Sequence, residues 1–246
     1  MLLRLLTVVL LASWSSDVFA QADLDALPMF YTVERKVTIY RDSSMTKPYA
    51  GLRFRDRVYE IERGATWQRV RSQDGAVGYV RPEQLSNVWI RVSKSDATVY
   101  VYEGMTLAHT YPADFGYNQF ADKVRRGDPL NQDHWRTPDG VFYVARKNPR
   151  SKFYKAFVVN YPNTEDAVRG MQQGLISQAQ HDAIVRSEQT FSMPPMNTPL
   201  GGWIEIHGKG TGARSNWTQG CVAITDAAMD ELWGIVREGT PILVEL

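Results

Sequence analysis

The sequence is poor in thiol and imidazole groups, with one cysteine, Cys221, and four histidines. A single cysteine excludes a disulfide within the chain. The net charge is +1 and no basic stripe is present, so composition gives no reason to expect nucleic-acid binding. After the first 20 residues no apolar run is long enough to predict a transmembrane segment. The composition, with 43% hydrophobic and 22% charged residues, is that of an ordinary globular protein.

The first 20 residues have the pattern of a secretory signal peptide. Arg4 precedes an apolar run over residues 5–14, and Val18 and Ala20 fit the −3 and −1 positions of a cleavage site. No cysteine follows the run, which argues against a lipoprotein anchor. We therefore predict a signal peptide over 1–20 and export to the periplasm or cell envelope. Cysteines in such oxidising compartments usually occur in pairs, so a single one favours a chemical role.

Residues 201–224 contain that cysteine and a nearby histidine. An apolar run over 203–206 predicts a buried strand that leads into His207 and Gly208. A polar, glycine-rich loop follows and ends at Gly220 and Cys221. A thiol attacks as the thiolate, and an imidazole can accept its proton and later protonate a leaving amine. The pattern indicates nucleophilic catalysis by a cysteine and histidine pair.

Two further groups would complete such a site. The backbone N–H groups of Gly220 and Cys221 could form an oxyanion hole, because glycine leaves space for a carbonyl substrate. The imidazole tautomer needs a hydrogen-bond acceptor, and both the Gly208 carbonyl and the Glu205 side chain are candidates.

These residues also fit interpretations other than catalysis. A lone cysteine is often a small buried apolar residue, and a histidine beside a strand is often a hydrogen-bonded core residue. Glu205-x-His207 also resembles a fragment of a zinc peptidase site, but such sites need at least three ligands, and no second histidine occurs at a matching spacing. The glycines that flank both His207 and Cys221 favour catalysis, and we predict no metal and no cofactor.

Three segments carry a resemblance to a known family: Ile206-His207-Gly208, Trp217-Thr218-Gln219-Gly220-Cys221-Val222, and Arg136-Thr137-Pro138-Asp139-Gly140-Val141-Phe142. They resemble the signature of the YkuD-type L,D-transpeptidase catalytic domain, over residues 88–246. The resemblance implies a mostly β fold and peptidoglycan stem peptides as substrate.

The same resemblance assigns roles by position. Cys221 would be the nucleophile, His207 the base, and Gly208 the carbonyl that orients it. Backbone amides of Gln219, Gly220 and Cys221 would form the oxyanion hole. The predicted substrate-binding residues are Trp217, Thr218, Thr137 and Tyr161.

The sequence departs from the typical family pattern. Typical members read Ser-His-Gly-Cys-Val-Arg, whereas residues 218–223 read Thr-Gln-Gly-Cys-Val-Ala. This variant resembles the YafK-like branch, which includes hydrolases. We expect transfer to an amine acceptor, as a 3-3 cross-link or in attachment of an outer-membrane lipoprotein or other protein. L,D-carboxypeptidase or endopeptidase activity, and a non-catalytic wall-binding protein, are the alternatives.

The strand pattern predicts a mainly β protein of two domains. Short strands over 30–86, with a hairpin at Asp74-Gly75, resemble a small bacterial SH3-like β barrel. Residues 88–246 are expected to form a β-sandwich or barrel with a few short helices. Within it we predict a loop over 117–135 near the substrate, one or two helices over 165–189 with a break at Gly174, and a helix over 226–237.

Overall fold

The structure, a computed structural model, describes residues 26–246. The predicted signal peptide lies outside these residues. The protein is mainly β, as predicted, and its helices are α1 (Thr164–Gln172), α2 (Gln178–Gln189) and α3 (Asp226–Ile235). None of the helices in the described part is long and apolar enough to cross a membrane.

The first seven strands form one antiparallel sheet. They are β1 (Met29–Thr32), β2 (Lys36–Tyr40), β3 (Pro48–Arg53), β4 (Arg57–Arg63), β5 (Gln68–Ser72), β6 (Val77–Val80) and β7 (Leu85–Ser86), in the order β3-β2-β6-β5-β4-β1-β7. Gly75 lies between β5 and β6 with a φ of 89°, which glycine adopts without strain. The predicted hairpin is therefore present, while the likeness to an SH3 barrel stays a prediction.

The remaining strands form a second, mixed sheet and a short parallel pair. They are β8 (Val88–Ser93), β9 (Thr98–Glu103), β10 (Thr106–Pro112), β11 (Phe115–Gly116), β12 (Gly140–Ser151), β13 (Tyr154–Val159), β14 (Glu205–His207), β15 (Asn216–Thr218), β16 (Val222–Ala223) and β17 (Pro241–Glu245). The eight-stranded sheet has the order β10-β9-β8-β17-β12-β13-β14-β16, and β11 pairs with β15.

Helix α3 covers the part of this sheet that carries β13. Met229 and Leu232 are fully buried beside Phe157, and Trp233 stacks on the Phe157 ring with centroids 5.3 Å apart. Burial of each such side chain is worth about 1.5–3 kcal/mol, so this cluster anchors the centre of the sheet. The Thr225 side chain caps the helix by accepting from the Ala228 N–H.

The two helices between β13 and β14 form a separate small unit. Asn163 and Ser177 begin α1 and α2, each with a capping box, and Gly174 breaks the chain between them with a φ of 67°. Ile184 and Leu200 form part of a buried cluster beneath them. The predicted helices and the break at Gly174 are both present.

One predicted strand is displaced. The strand expected over 203–206 begins only at Glu205 and continues through His207. Gly202 and Trp203 have φ values of 156° and 57°, so the chain turns before it joins the sheet. The apolar run predicted a strand in the right region but two residues too early. The turn at Trp203 was not predicted, because no sequence pattern indicates a positive φ at a tryptophan.

Candidate active site

His207 and Cys221 come together because β14 and β16 are parallel neighbours. Ile206 pairs with Val222, and His207 pairs with Ala223. Cys221 directly precedes β16 and lies near Glu205, whose charge acts on its thiol. Since side chains alternate along a strand, positions 205, 207 and 221 face the same side.

That side is the wall of a cleft of about 560 Å³. Its other walls come from the loop before β12, the turn between β12 and β13, and the segment before β14. The lining residues are Lys123, Arg126, Gly127, Trp135, Asn148, Ser151, Lys152, Phe153, Gly201, Gly202, Trp203, Glu205, His207, Trp217, Thr218, Gln219 and Cys221.

His207 is held by one hydrogen bond and two aromatic rings. Its Nδ1 lies 2.6 Å from the Gly208 carbonyl oxygen, which can only accept, so Nδ1 carries the proton. Phe153 stacks on the imidazole at 4.2 Å, and Trp217 meets it edge-on at 6.1 Å. Burial lowers the pKa of His207, outweighing the Gly208 carbonyl, which raises it. The imidazole is therefore neutral at pH 7, with Nε2 free to accept a proton.

The Gly208 carbonyl, rather than the Glu205 side chain, thus orients the histidine. Glycine is required at 208 because a Cβ there would lie 2.5 Å from Asp226 Oδ1. The same Asp226 oxygen accepts from the Lys209 N–H at 2.7 Å, which fixes the chain directly after the carbonyl.

Cys221 is half-buried, and its Sγ lies 3.5 Å from the Trp203 carbonyl oxygen. Burial, together with the charge of the nearby Glu205 carboxylate, raises the pKa of the thiol to about 12. The resting thiol is therefore protonated and donates toward Trp203. The left-handed backbone of Trp203 is strained for a residue with a Cβ, at a cost of about 1–3 kcal/mol.

The backbone around Cys221 is arranged by Gly220 and Thr218. Gly220 has a φ of 124°, and a Cβ there would lie 2.5 Å from the Arg136 carbonyl oxygen. Its N–H donates to Thr218 Oγ1 at 3.2 Å, and the Thr218 hydroxyl donates to the Cys221 carbonyl at 2.7 Å. Within residues 26–246 the N–H groups of Gln219 and Cys221 make no hydrogen bond. Two of the three amides predicted for an oxyanion hole are therefore unoccupied.

The predicted substrate-binding residues divide into two pairs. Trp217 and Thr218 line the cleft. Thr137 and Tyr161 are fully buried: the Thr137 hydroxyl accepts from the Gly116 N–H at 3.2 Å, and the Tyr161 hydroxyl donates to the Leu200 carbonyl at 2.9 Å. Both hydroxyls of this second pair are engaged inside the protein, and their contact with substrate stays a prediction.

Asp114 organises the loop that carries Trp217, a role that sequence reasoning missed. Its carboxylate accepts from the N–H groups of Thr211 at 2.6 Å and Ser215 at 2.9 Å, and from Trp217 Nε1 at 2.8 Å. Its backbone pairs with that of Ala223 in both directions. The only sequence signal was an aspartate between the apolar residues 113 and 115.

Two cations from the loop over 117–135 also line the cleft. Lys123 is buried, its Nζ donates to the His134 carbonyl at 3.2 Å, and burial lowers its pKa to about 8. Arg126 donates to the Thr198 carbonyl at 3.1 Å and the Met196 carbonyl at 3.2 Å. The loop was predicted to lie at the substrate, but nothing in it distinguished these residues from its other charges.

Helix α1 holds this loop in place through Arg169. The guanidinium donates to Asp122 Oδ2 at 2.8 Å and to the Lys123 carbonyl at 3.0 Å. Asp122 Oδ1 accepts from the Asp139 N–H at 2.9 Å, and Asp139 pairs with the buried Lys94 at 2.7 Å. A continuous polar network therefore joins the helical unit to the cleft wall.

Across residues 26–246 no group of three or more His, Cys, Asp or Glu side chains could hold a metal ion. Glu205, His207 and the neighbouring Cys221 are therefore not arranged as a metal site.

Residues 87–244 match the family model of the YkuD L,D-transpeptidase catalytic domain. This match spans more than half of the chain and confirms the predicted family. A comparison with curated proteins finds no significant match. The YafK-like branch and the SH3-like module remain predictions.

Several solved structures are similar to this chain. Bd1075 of Bdellovibrio bacteriovorus is 20% identical over 65% of this chain and 47% of its own, with a TM-score of 0.39. An L,D-transpeptidase of Xylanimonas cellulosilytica is 15% identical over 65% and 61%, with a TM-score of 0.39. One from Mycobacterium smegmatis is 15% identical over 76% and 80%, with a TM-score of 0.36. The chain thus spans less than two thirds of the first two, and its family assignment depends on the family model.

Proposed function

The chain belongs to the family of YkuD-type L,D-transpeptidase catalytic domains, and on this premise we propose that it is an exported cysteine L,D-transpeptidase acting on peptidoglycan stem peptides. The observation that carries the proposal is the placement of His207 on β14 and of Cys221 directly before the parallel strand β16, with both residues lining one cleft. Both side chains therefore open into the same space, which a thiol nucleophile and its base need in order to act on one substrate.

The acylation step follows from the protonation states. Both groups are neutral at rest, because burial raises the pKa of Cys221 and lowers that of His207. The thiol proton moves to Nε2 of His207 as sulfur attacks the peptide carbonyl. The resulting imidazolium protonates the leaving amine, the C–N bond breaks, and a thioester remains on Cys221. The Gln219 and Cys221 amides stabilise the oxyanion.

The charges of the cleft fit an anionic peptide. Stem peptides carry free carboxylates, and Lys123, Arg126 and Lys152 all line the cleft. Among residues 26–246 the Lys123 ammonium donates to one carbonyl, at 3.2 Å, which leaves its other donors for a substrate carboxylate. We assign the carboxylate-binding role to these cations.

The fate of the thioester distinguishes the transferase from the alternative hydrolase. In typical members an arginine occupies position 223, whereas here Ala223 is fully buried beside His207. Transfer requires an amine to outcompete water at the thioester. We propose transfer to an amine, as a 3-3 cross-link or protein attachment; hydrolysis of the same bonds would place the protein with the YafK-like hydrolases.

Mass spectrometry tests the nucleophile. Enzyme incubated with tetrapeptide muropeptides should gain the mass of the acyl group on Cys221. Cys221→Ala should show no adduct, and His207→Ala should acylate about two to four orders of magnitude more slowly. An adduct on another residue, or unchanged activity of Cys221→Ala, would contradict the proposal.

Product analysis on intact sacculi tests the reaction. Dimers with a 3-3 linkage, or lipoprotein-linked stems, are expected from transfer. Tripeptide monomers or released lipoprotein without dimers would instead establish hydrolysis. The start of the mature protein in the cell envelope, read by N-terminal sequencing, should be Gln21 if residues 1–20 are a signal peptide.

A further inference from the structure

Glu205 is a cleft residue that the acylation step does not use. Its side chain lines the cleft, yet the residue is only 9% exposed. In the part of the chain that the structure describes, its carboxylate makes no hydrogen bond and no ion pair within 4.0 Å. The neighbouring charges are Lys152 and Arg146, whose fields favour its ionised form, and the thiol of Cys221. Neither carboxylate oxygen is among the enclosed polar atoms without a partner, so the group opens into the cleft and is available to a bound substrate.

The position of Glu205 works against thiolate formation. It lies beside Cys221 in the register of β14 and β16, nearer along the strands than His207. A carboxylate there raises the pKa of the thiol, while burial raises the pKa of Glu205 itself. The carboxylate charge thus disfavours the first step of the reaction, so we look for its role in a later step.

The second step, attack of an amine on the thioester, releases more protons than His207 and Cys221 can accept. In acylation the thiol proton passes through His207 to the leaving amine, and His207 ends neutral. Attack by a neutral amine reverses this path, with one proton returning through His207 to the thiolate. At neutral pH, however, an alkyl amine such as a lysine or diaminopimelate side chain is an ammonium ion, with a pKa near about 10.4. Its additional proton has no acceptor among His207 and Cys221.

We propose that Glu205 binds the ammonium group of the acceptor amine and removes its additional proton before the amine attacks the thioester. The inference rests on the proposed function and specifies its acceptor as a cationic primary amine. Glu205 takes one proton and becomes neutral. The amine nitrogen then bonds to the thioester carbon, His207 Nε2 takes the second proton, and the C–S bond breaks. The thiolate of Cys221 recovers its proton from His207, and Glu205 releases its proton to water.

The test compares two acceptors in the Glu205→Gln variant. A tetrapeptide stem serves as donor, and the acceptor is either a diaminopimelate-containing stem tripeptide or hydroxylamine, which is uncharged at neutral pH. The variant should form the acyl-enzyme at an unchanged or higher rate. Its product with the ammonium acceptor should fall by about 10²-fold or more, the usual worth of general-base assistance, while the hydroxamate product stays unchanged.

Two controls separate this role from a structural one. Glu62→Gln removes one exposed carboxylate from the first sheet and should leave both products unchanged. Glu205→Asp keeps a carboxylate and should retain part of the ammonium-dependent rate. The deficit of Glu205→Gln should also shrink as the pH approaches the pKa of the acceptor amine, because more of the amine is then already neutral.

The outcomes have different consequences. Equal loss or equal retention of both products in Glu205→Gln, with normal acylation, would overturn the inference and leave the proposed function intact. Loss of acylation in this variant alone would assign Glu205 to donor binding and also overturn it. A wild-type enzyme that forms no acyl-enzyme on Cys221 would overturn the proposed function and this inference with it.

Discussion

The ring of Phe153 lies almost parallel to the imidazole of His207, with centroids 4.2 Å apart and planes inclined by 14°. This contact covers one face of the imidazole and keeps water from it. Burial is the main cause of the lowered pKa of His207, and Phe153 supplies part of that burial. The base therefore depends on a residue from the turn between β12 and β13.

We predict that Phe153→Ala raises the pKa of His207 toward its ordinary value of 6.5, because water then solvates the charged form. The acid limb of the acylation rate should move to higher pH, and the imidazole titration followed by NMR should move with it. Phe153→Leu, which keeps an apolar side chain, is the control and should shift less. An unchanged titration in Phe153→Ala would show that the ring does not control the base.

Asp114→Asn should loosen the loop between β14 and β15. The amide would present an N–H₂ group toward at least one N–H donor, so we expect a loss of about 2–3 kcal/mol in the free energy of unfolding. Burial would raise the pKa of Asp114, but hydrogen bonds from Thr211, Trp217 and Ser215 outweigh it and lower the pKa.

The charged form of Asp114 therefore stabilises the fold above its ordinary pKa of 3.8, and this stabilisation is lost as the pH falls through the lower, folded value. Urea denaturation at pH 7 and pH 3 measures both effects: the difference between variant and wild type should be larger at pH 7. An equal difference at both values would contradict the prediction.

Glu205→Gln should stabilise the protein at neutral pH. Because burial raises the pKa of Glu205 in the folded state, its contribution to stability is fully present below its ordinary value of 4.5 and is lost as the pH rises through the folded pKa. The glutamine variant does not titrate. Its melting temperature should therefore exceed that of the wild type at pH 7 and approach it at pH 4. A lower melting temperature at pH 7 would indicate that Glu205 has a stabilising partner.

Gly220→Ala should impair acylation of Cys221, an effect that the backbone strain of a positive φ at residue 220 does not by itself explain. The new Cβ would lie 2.5 Å from the Arg136 carbonyl oxygen, so the backbone of residues 219–221 must shift. Gly75→Ala is a matched control, since Gly75 also has a positive φ but its Cβ would meet nothing within 4 Å. Both variants should lose about 1 kcal/mol or more of stability, but only Gly220→Ala should lose acylation of Cys221. Normal acylation of Gly220→Ala would contradict this account.

The sequence predicted much of the fold because strand patterns and caps are local. The hairpin at Gly75, the helix break at Gly174 and the cap at Thr225 each follow from residue types at fixed spacings. The pair of His207 and Cys221 was predicted for a similar reason, since glycines mark both residues. The strand predicted over 203–206 was displaced to 205–207, because the turn at Gly202 and Trp203 depends on tertiary placement.

The residues that were missed are those joined across long sequence separations. Asp114 reaches Trp217 over more than one hundred residues, and Lys123 enters the cleft from a loop of unpatterned charges. From the sequence, Glu205 is a candidate only for orienting His207 or for a zinc-site fragment. Its place beside Cys221 requires the parallel register of β14 and β16, which the sequence does not specify.

The network that joins Arg169 to Asp122 and Lys123 has a consequence for engineering a shorter protein. Residues 164–189 resemble an insertion that could be deleted, since the two helices pack on a small hydrophobic cluster of their own between two strands of the sheet. Excising them would leave the Asp122 carboxylate without its guanidinium and free the backbone that carries Lys123. A shortened protein would therefore need another cationic side chain beside Asp122 to keep Lys123 in its position at the cleft.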